Sequence, residues 1–171
     1  MDSCDRKLRL ARQGDASTLA AMSRDLIEVG LGWQYRTRRI SQLIADPDAI
    51  NLVAHDSQRT LGFAIMTLGD ERAHLVLLAV RPSHQRQGVA RELMSWLVES
   101  ASVAGIATIH VELRIDNKAA YAFYNAIGFA ETLRTPGYYR GREAAVSMIR
   151  MLRMPGMTPE PWRPPTLDRR P

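Results

Sequence analysis

The sequence predicts a mixed α/β domain built on one sheet, and three observations carry that expectation. Apolar runs broken by polar turns over residues 50–80 read as an antiparallel meander. Two stretches, 88–103 and 117–127, carry apolar residues at helical spacing. Between residues 73 and 113 a strand, a crossover helix and a second strand follow one another, a length that implies a parallel pair.

From the N-terminus, Lys7 to Ala11 is a short strand. Gly14-Asp15 leads into Leu19, Met22, Leu26 and Val29, spaced as one helical face that Asp15 can cap and Gly30 can end. Gly30-Leu31-Gly32-Trp33-Gln34-Tyr35 forms an aromatic loop, and a second short helix turns Ile40, Leu43 and Ile44 inward before Asp46-Pro47 stops it. Strands follow at Asn51 to Ala54, Leu61 to Leu68 and Ala73 to Val80, with turns at 56–59 and 69–71. The helix from Gly88 to Val103 carries Val89, Leu93, Trp96, Leu97 and Ala101 on its stripe and closes at Gly105. Ala107 to Leu113 is a strand, and Asn117 to Ile127 a helix ended by Gly128. Two last strands, Phe129 to Arg134 and Glu143 to Leu152, flank a turn at Pro136-Gly137-Tyr138-Tyr139.

The 171 residues suit one domain, expected over 1–153, followed by a tail over 154–171 that holds six of the nine prolines and no apolar periodicity. No apolar run approaches the ~20 residues that span a bilayer, and the N-terminus has no apolar signal region, so a cytoplasmic protein is expected. The single cysteine, Cys4, forms no internal disulfide, and the four histidines lack paired ligand spacing, so no metal is expected. The net charge of +5 rests almost wholly on arginine, spread along the chain without the aromatic interleaving of a nucleic-acid platform. A phosphorylated small molecule accounts for the same excess.

Two stretches carry chemistry. In Leu78-Ala79-Val80-Arg81-Pro82-Ser83-His84-Gln85-Arg86-Gln87-Gly88-Val89-Ala90-Arg91 a strand ends, a loop with a glycine follows and a helix begins, a junction whose unpaired N–H groups suit an anion. It lacks Gly-Lys-Ser/Thr and three spaced glycines, so it is neither a P-loop nor a dinucleotide fingerprint. The second stretch is Glu112-Leu113-Arg114-Ile115-Asp116-Asn117, running on through Tyr121, Phe123 and Tyr124 to Gly128-Phe129. Strand alternation places His110, Glu112 and Arg114 on one face and Ile109, Val111 and Leu113 on the other, and three polar side chains on one face suggest a cleft.

Together these stretches resemble the GNAT acetyltransferase superfamily, over residues 7 to about 152. Gln-x-x-Gly-x-Gly/Ala and Asn-x-x-Ala-x-x-Phe-Tyr-x-x-x-Gly-Phe both occur, in the family's order. Residues 109–117 and 138–144 are similar to the bacterial ribosomal-protein alanine N-acetyltransferases, whereas residues 30–35 depart from that group's substrate loop. The resemblance implies a mostly antiparallel sheet with helices on both faces and a parallel pair splayed at a coenzyme cleft.

It further implies acetyl-CoA as co-substrate, held by Leu78, Ala79 and Val80 and by Gln85, Arg86, Gln87, Gly88, Val89, Ala90 and Arg91. Asn117 is either a coenzyme contact or a plain N-cap. Glu112 is implied as base and Tyr124 as acid. The alternatives stay open: Glu112 as a partner of Arg114 or His110, Tyr124 as a packed helix residue, and Glu71, His74 or a water relay as the base. With an ordinary carboxylate pKa of ~4.3, Glu112 needs burial to raise it, or a relay. Trp33, Tyr35, Tyr138 and Tyr139 are candidate acceptor contacts, each weighed against plain packing. The acceptor is a primary amine, a protein N-terminus first and a small-molecule amine second, with a non-catalytic acyl-CoA-binding module as the third reading. A monomer and a homodimer both fit.

Overall fold

The structure, a computed structural model, describes residues 5–139, 143–154 and 156. Strands β1 (Lys7–Leu10), β2 (Ala49–His55), β3 (Thr60–Leu68), β4 (Arg72–Val80), β5 (Thr108–Arg114), β6 (Ala130–Tyr139) and β7 (Glu143–Met151) form one sheet in the order β1-β2-β3-β4-β5-β7-β6. Every pairing is antiparallel except β4 with β5. The fold expected from the sequence is therefore the fold observed.

Helices cover both faces because alternate residues of the central strands are apolar on both sides. On one face α1 (Ala16–Leu26) and α2 (Thr37–Ala45) bury Leu19, Met22 and Ile40 against Val53, Phe63 and Ile65. On the other, α3 (Val89–Val103) and α4 (Lys118–Ala126) bury Leu93, Leu97 and Tyr124 against Leu52, Ala64 and Ile109.

Several local expectations are corrected. Asp15 precedes α1 but does not cap it; its carboxylate accepts the Arg12 N–H at 2.7 Å and pairs with the Arg9 guanidinium, closing a short 3-10 turn instead. Helix α1 ends earlier than the apolar spacing suggests, with the N–H groups of Ile27 and Glu28 both on the Ser23 carbonyl, so Val29 is 58% exposed. Trp96 lies beside the stripe of α3 and is 38% exposed, because Leu93, Met94, Leu97 and Ala101 already fill the buried face. The turn expected at 136–139 is strand instead. Thr135 pairs with Ala145 and Tyr139 with Glu143, so the donorless Pro136 and the left-handed Gly137 (φ 65°) fall within a bulge of β6.

One close approach fixes how α3 meets the sheet. At Gly62 a Cβ atom would lie 2.9 Å from the Ala79 carbonyl oxygen and 3.2 Å from methyl carbons of Val80 and Val89. Gly62→Ala is expected to cost about 1–3 kcal/mol, read as a lower urea midpoint at unchanged slope.

Candidate active site

The cleft arises where two parallel strands part. β4 and β5 pair at only three positions, Arg72 with Thr108, Ala73 with Ile109 and His74 with His110, and then run on without pairing to each other. Just past the last pair, β4 carries an extra residue: Met66 of β3 pairs with Leu75 and Ile65 with Leu77, leaving Val76 as a bulge. A bulge bends its strand and increases its twist, which turns the rest of β4 away from β5.

Ladder alternation then decides where the backbone groups of β4 point. The Arg81 N–H donates to the Leu61 carbonyl at 2.8 Å, so Ala79 and Leu77 also face β3, while Leu78 and Val80 direct their N–H and C=O groups into the cleft. The Val80 carbonyl is met there by Gln85, whose side-chain amide donates to it at 3.0 Å.

Beyond β4 the loop reaches α3 through two left-handed residues, Arg86 (φ 59°) and Gly88 (φ 83°, at the N-cap). Residues 85–88 are exposed, whereas Val89 is buried and Ala90 packs against the core. The first turn of α3 thus offers its N–H groups on an open backbone. Arg6, near the start of the chain, reaches this loop: its Nη1 donates to the Gln87 carbonyl at 3.2 Å, and its guanidinium pairs with Glu92 in the first turn of α3. Nothing in the sequence signals that contact across 81 positions.

Asn117 acts as an N-cap, its side-chain oxygen accepting the Ala120 N–H at 3.1 Å. Tyr124 is buried in α4, edge-on to both Phe123 and Phe129 with ring centroids 5.3 Å apart in each pair.

On β5, Ile109, Val111 and Leu113 are buried and His110, Glu112 and Arg114 are partly exposed, as alternation requires. The Glu112 carboxylate accepts a hydrogen bond from Nε2 of His74 across the β4–β5 junction. The sequence leaves open an alternative in which Glu112 only partners Arg114 or His110; in the structure Arg114 reaches the Val29 carbonyl, and His110 meets the Thr108 hydroxyl at 2.9 Å and lies near enough to Glu112 to interact with its charge. The His74 hydrogen bond holds Glu112 below the usual carboxylate range, and partial burial opposes it only in part. The rise that a lone carboxylate base would need is therefore absent. His110 is pushed down by burial and by the nearby Arg72.

Of the two reserve bases, His74 joins Glu112 and Glu71 does not. Glu71 accepts the Gly156 N–H at 2.9 Å and pairs with Arg153, and the Gly156 contact foremost lowers its pKa. His74 and Glu112 line an open groove of about 410 Å³, floored by Thr67, Ala73 and His110. The groove shares Gly69, Arg72 and His110 with a hollow of about 560 Å³ that continues toward Ile149 and Met151.

The α1–α2 loop, whose Val29 carbonyl Arg114 of β5 reaches, is organised by a residue the sequence gives no reason to single out. Glu28 is buried and accepts hydrogen bonds from the Ser23 hydroxyl at 3.0 Å, the Gln34 N–H at 2.7 Å and the Tyr35 N–H. Trp33 donates its indole N–H to the carbonyls of Ala20 and Tyr35, both at 3.1 Å, and packs on the core between the guanidinium groups of Arg24 and Arg36. Arg39 lies 4.2 Å over the Tyr35 ring. These contacts place both aromatics in the loop's own packing. Glu28→Ala leaves the buried Ser23 hydroxyl and two part-buried N–H groups without their acceptor and is expected to cost about 1–3 kcal/mol in thermal unfolding.

Tyr138 and Tyr139 belong to β6, and their side chains lie outside the described residues. Among the described residues, no group of three or more His, Cys, Asp or Glu is placed to hold a metal ion, and no helix is long and apolar enough to cross a membrane.

A splayed parallel pair, a β4 bulge and an open helix N-terminus at its mouth are the architecture of an acyl-CoA-dependent transferase. The family model for the acetyltransferase (GNAT) family matches residues 20–129, and the chain belongs to that family. It is similar to the [ribosomal protein bS18]-alanine N-acetyltransferase of Escherichia coli K12, 35% identical over 102 residues that cover 58% of this chain and 69% of that one. The crystal structure of the ribosomal-protein-S18-alanine N-acetyltransferase from Escherichia coli superposes with a TM-score of 0.77 at 26% identity, covering 88% of this chain and 96% of that chain. The yncA structure from Salmonella typhimurium, described with its cofactor acetyl-CoA, shares the fold with a TM-score of 0.74 at 21% identity over 90% of this chain and 97% of that chain.

Proposed function

We propose that this chain transfers acetyl from acetyl-CoA directly to the α-amine of a protein or peptide N-terminus. The observation that carries the reading is the cleft itself, with the backbone of Leu78 and Val80 on one wall and Glu112 on the other. The residues present fit the coenzyme. The loop from Gln85 to Arg91 offers exposed backbone where a diphosphate can approach, and a Cβ at Gly88 would have only the Arg6 guanidinium within 4 Å. Leu78 to Val80 can pair with an extended pantetheine arm as a missing strand would. When bound, acetyl-CoA supplies the activated acetyl group as a thioester.

The remaining steps fall to the protein. A cleft-facing N–H of β4, that of Leu78 or of Val80, is assigned to polarise the thioester carbonyl, a fixed dipole aimed where negative charge develops. Glu112 is assigned to removal of the amine proton, directly or through a relay, and Tyr124 hydrogen-bonds the departing thiolate. With Glu112 held low, a weakly basic site favours the more easily deprotonated amine. An α-amine (pKa ~7.7 to 8.0) needs about 3 kcal/mol less than a lysine amine (~10.4) near neutral pH. The likeness to relatives named for alanine N-acetylation supports the same acceptor class.

The test is coenzyme A thiol release with mass identification of products, across peptides with different N-terminal residues and a matched set of polyamines and aminoglycosides. Acetylated peptide α-amines are expected. Small-molecule products would replace this acceptor, and tight acetyl-CoA binding with no product would mark a binding module.

A further inference from the structure

In the observed pair the two partners are a carboxylate and an imidazole, which raises the question of where the amine proton goes. A carboxylate can only accept, so the hydrogen between His74 and Glu112 belongs to Nε2 of the imidazole, and Nδ1 is the nitrogen left to take a proton. The His74 side chain is 47% exposed in the open groove, and that of Glu112 only 27%. Their strands are locked together beside them by the last β4–β5 pair, His74 with His110. The pair therefore stands at the point where the cleft begins.

We propose that His74 is a catalytic residue of the transfer, accepting the amine proton at Nδ1, while Glu112 holds Nε2–H and stabilises the imidazolium that forms. This rests on the acceptor reading above. The balance is simple: the ammonium loses one proton and becomes the nucleophile, the neutral imidazole gains it, Glu112 stays ionised throughout, and Nδ1 returns the proton to water in the groove. Near neutral pH an imidazole is better matched than a carboxylate to taking a proton from an ammonium. The hydrogen bond that lowers Glu112 widens that gap further.

The charged and titratable groups that face His74 are few. Arg72 on its own strand and His110 on β5 oppose a positive charge there, and Glu112 favours it; Thr67, its partner on β3, and the groove residues Leu68, Gly69 and Ala73 do not titrate. Among the described groove residues the balance thus turns on the one carboxylate in contact.

Two measurements test this. In the first, kcat/KM for an N-terminal peptide is followed against pH for the wild type, His74→Gln and His74→Ala. Glutamine keeps a side-chain N–H for Glu112 but cannot take a proton. Expected are an acid limb in the wild type that His74→Gln lacks, a fall of roughly 10²-fold at neutral pH in both variants, and partial rescue of His74→Ala by added imidazole. Wild-type rate and acid limb in His74→Gln would overturn the proposal, leaving His74 a positioning residue.

In the second, the His74 imidazole is titrated by NMR without any acceptor, its resonance assigned by its loss in His74→Gln. Replacing Glu112 by glutamine removes the one carboxylate in contact with the ring, and the midpoint is expected to fall. An unmoved midpoint overturns the pair by itself. Failure of the wild type to acetylate any amine would instead overturn the acceptor reading, and the catalytic role with it.

Discussion

Glu112→Gln is expected to lower kcat/KM for the amine acceptor by roughly 10²- to 10⁴-fold while leaving acetyl-CoA affinity unchanged. The side chain faces away from the core, on the polar side of β5, so its loss opens no cavity and the variant should fold. The hydrogen bond to His74 can persist through the glutamine oxygen, so the lesion is one of charge rather than shape. The pH profile carries the distinguishing information, because without the carboxylate the neighbouring imidazole is a weaker base and the acid limb moves down. Steady-state kinetics with calorimetry on acetyl-CoA checks both halves. Equal losses in coenzyme affinity and in rate would mean that Glu112 shapes the cleft and does not serve proton transfer.

Gly88→Val is expected to raise the KM for acetyl-CoA at least tenfold. At φ 83° a β-branched residue is strained by about 1–3 kcal/mol, and the strain falls on the N-cap of α3, where the backbone must hold an anion. The chain can relieve it only by rotating the loop and misaiming its N–H groups. Gly88→Asn, which tolerates the left-handed region, should lose much less. Comparing the two by acetyl-CoA titration, with helix content checked by circular dichroism, separates backbone conformation from added bulk. Equal loss in both variants would point to bulk.

Much of the fold was legible because its signals are local. Polar turns at 56–59 and 69–71, left-handed glycines after helices and apolar stripes on α1, α3 and α4 each reflect a few neighbouring residues. The errors arose where neighbours mislead. Pro136-Gly137 has the composition of a turn, yet a β-bulge uses the same missing donor and positive φ. Val29 keeps the helical spacing, but two N–H groups converging on Ser23 end the helix first.

The candidate site divides in the same way. Gln85 to Ala90 and Asn117 to Phe129 stand out as contiguous patterns. The contacts that complete them, His74 with Glu112, Arg6 with Gln87 and Arg114 with Val29, join residues 38, 81 and 85 positions apart. Such contacts depend on sheet register, which a pattern along the chain does not encode. Glu28 was hidden for another reason: a lone glutamate in a loop looks solvated until the backbone curls around it.

Three residue pairs join β4 to β5, so in its backbone pairing the seven-stranded sheet is two panels, one of four strands and one of three, joined near Arg72 and parted near Val80. Helix α3 rests on the four-stranded panel, while the bulk of the cleft's polar face belongs to the other. A substrate laid between the panels would add backbone hydrogen bonds that β4 and β5 do not make with each other, so occupancy and folding are linked. By that linkage a bound ligand stabilises the folded state as a whole, by about 2.7 kcal/mol at a hundredfold excess over Kd.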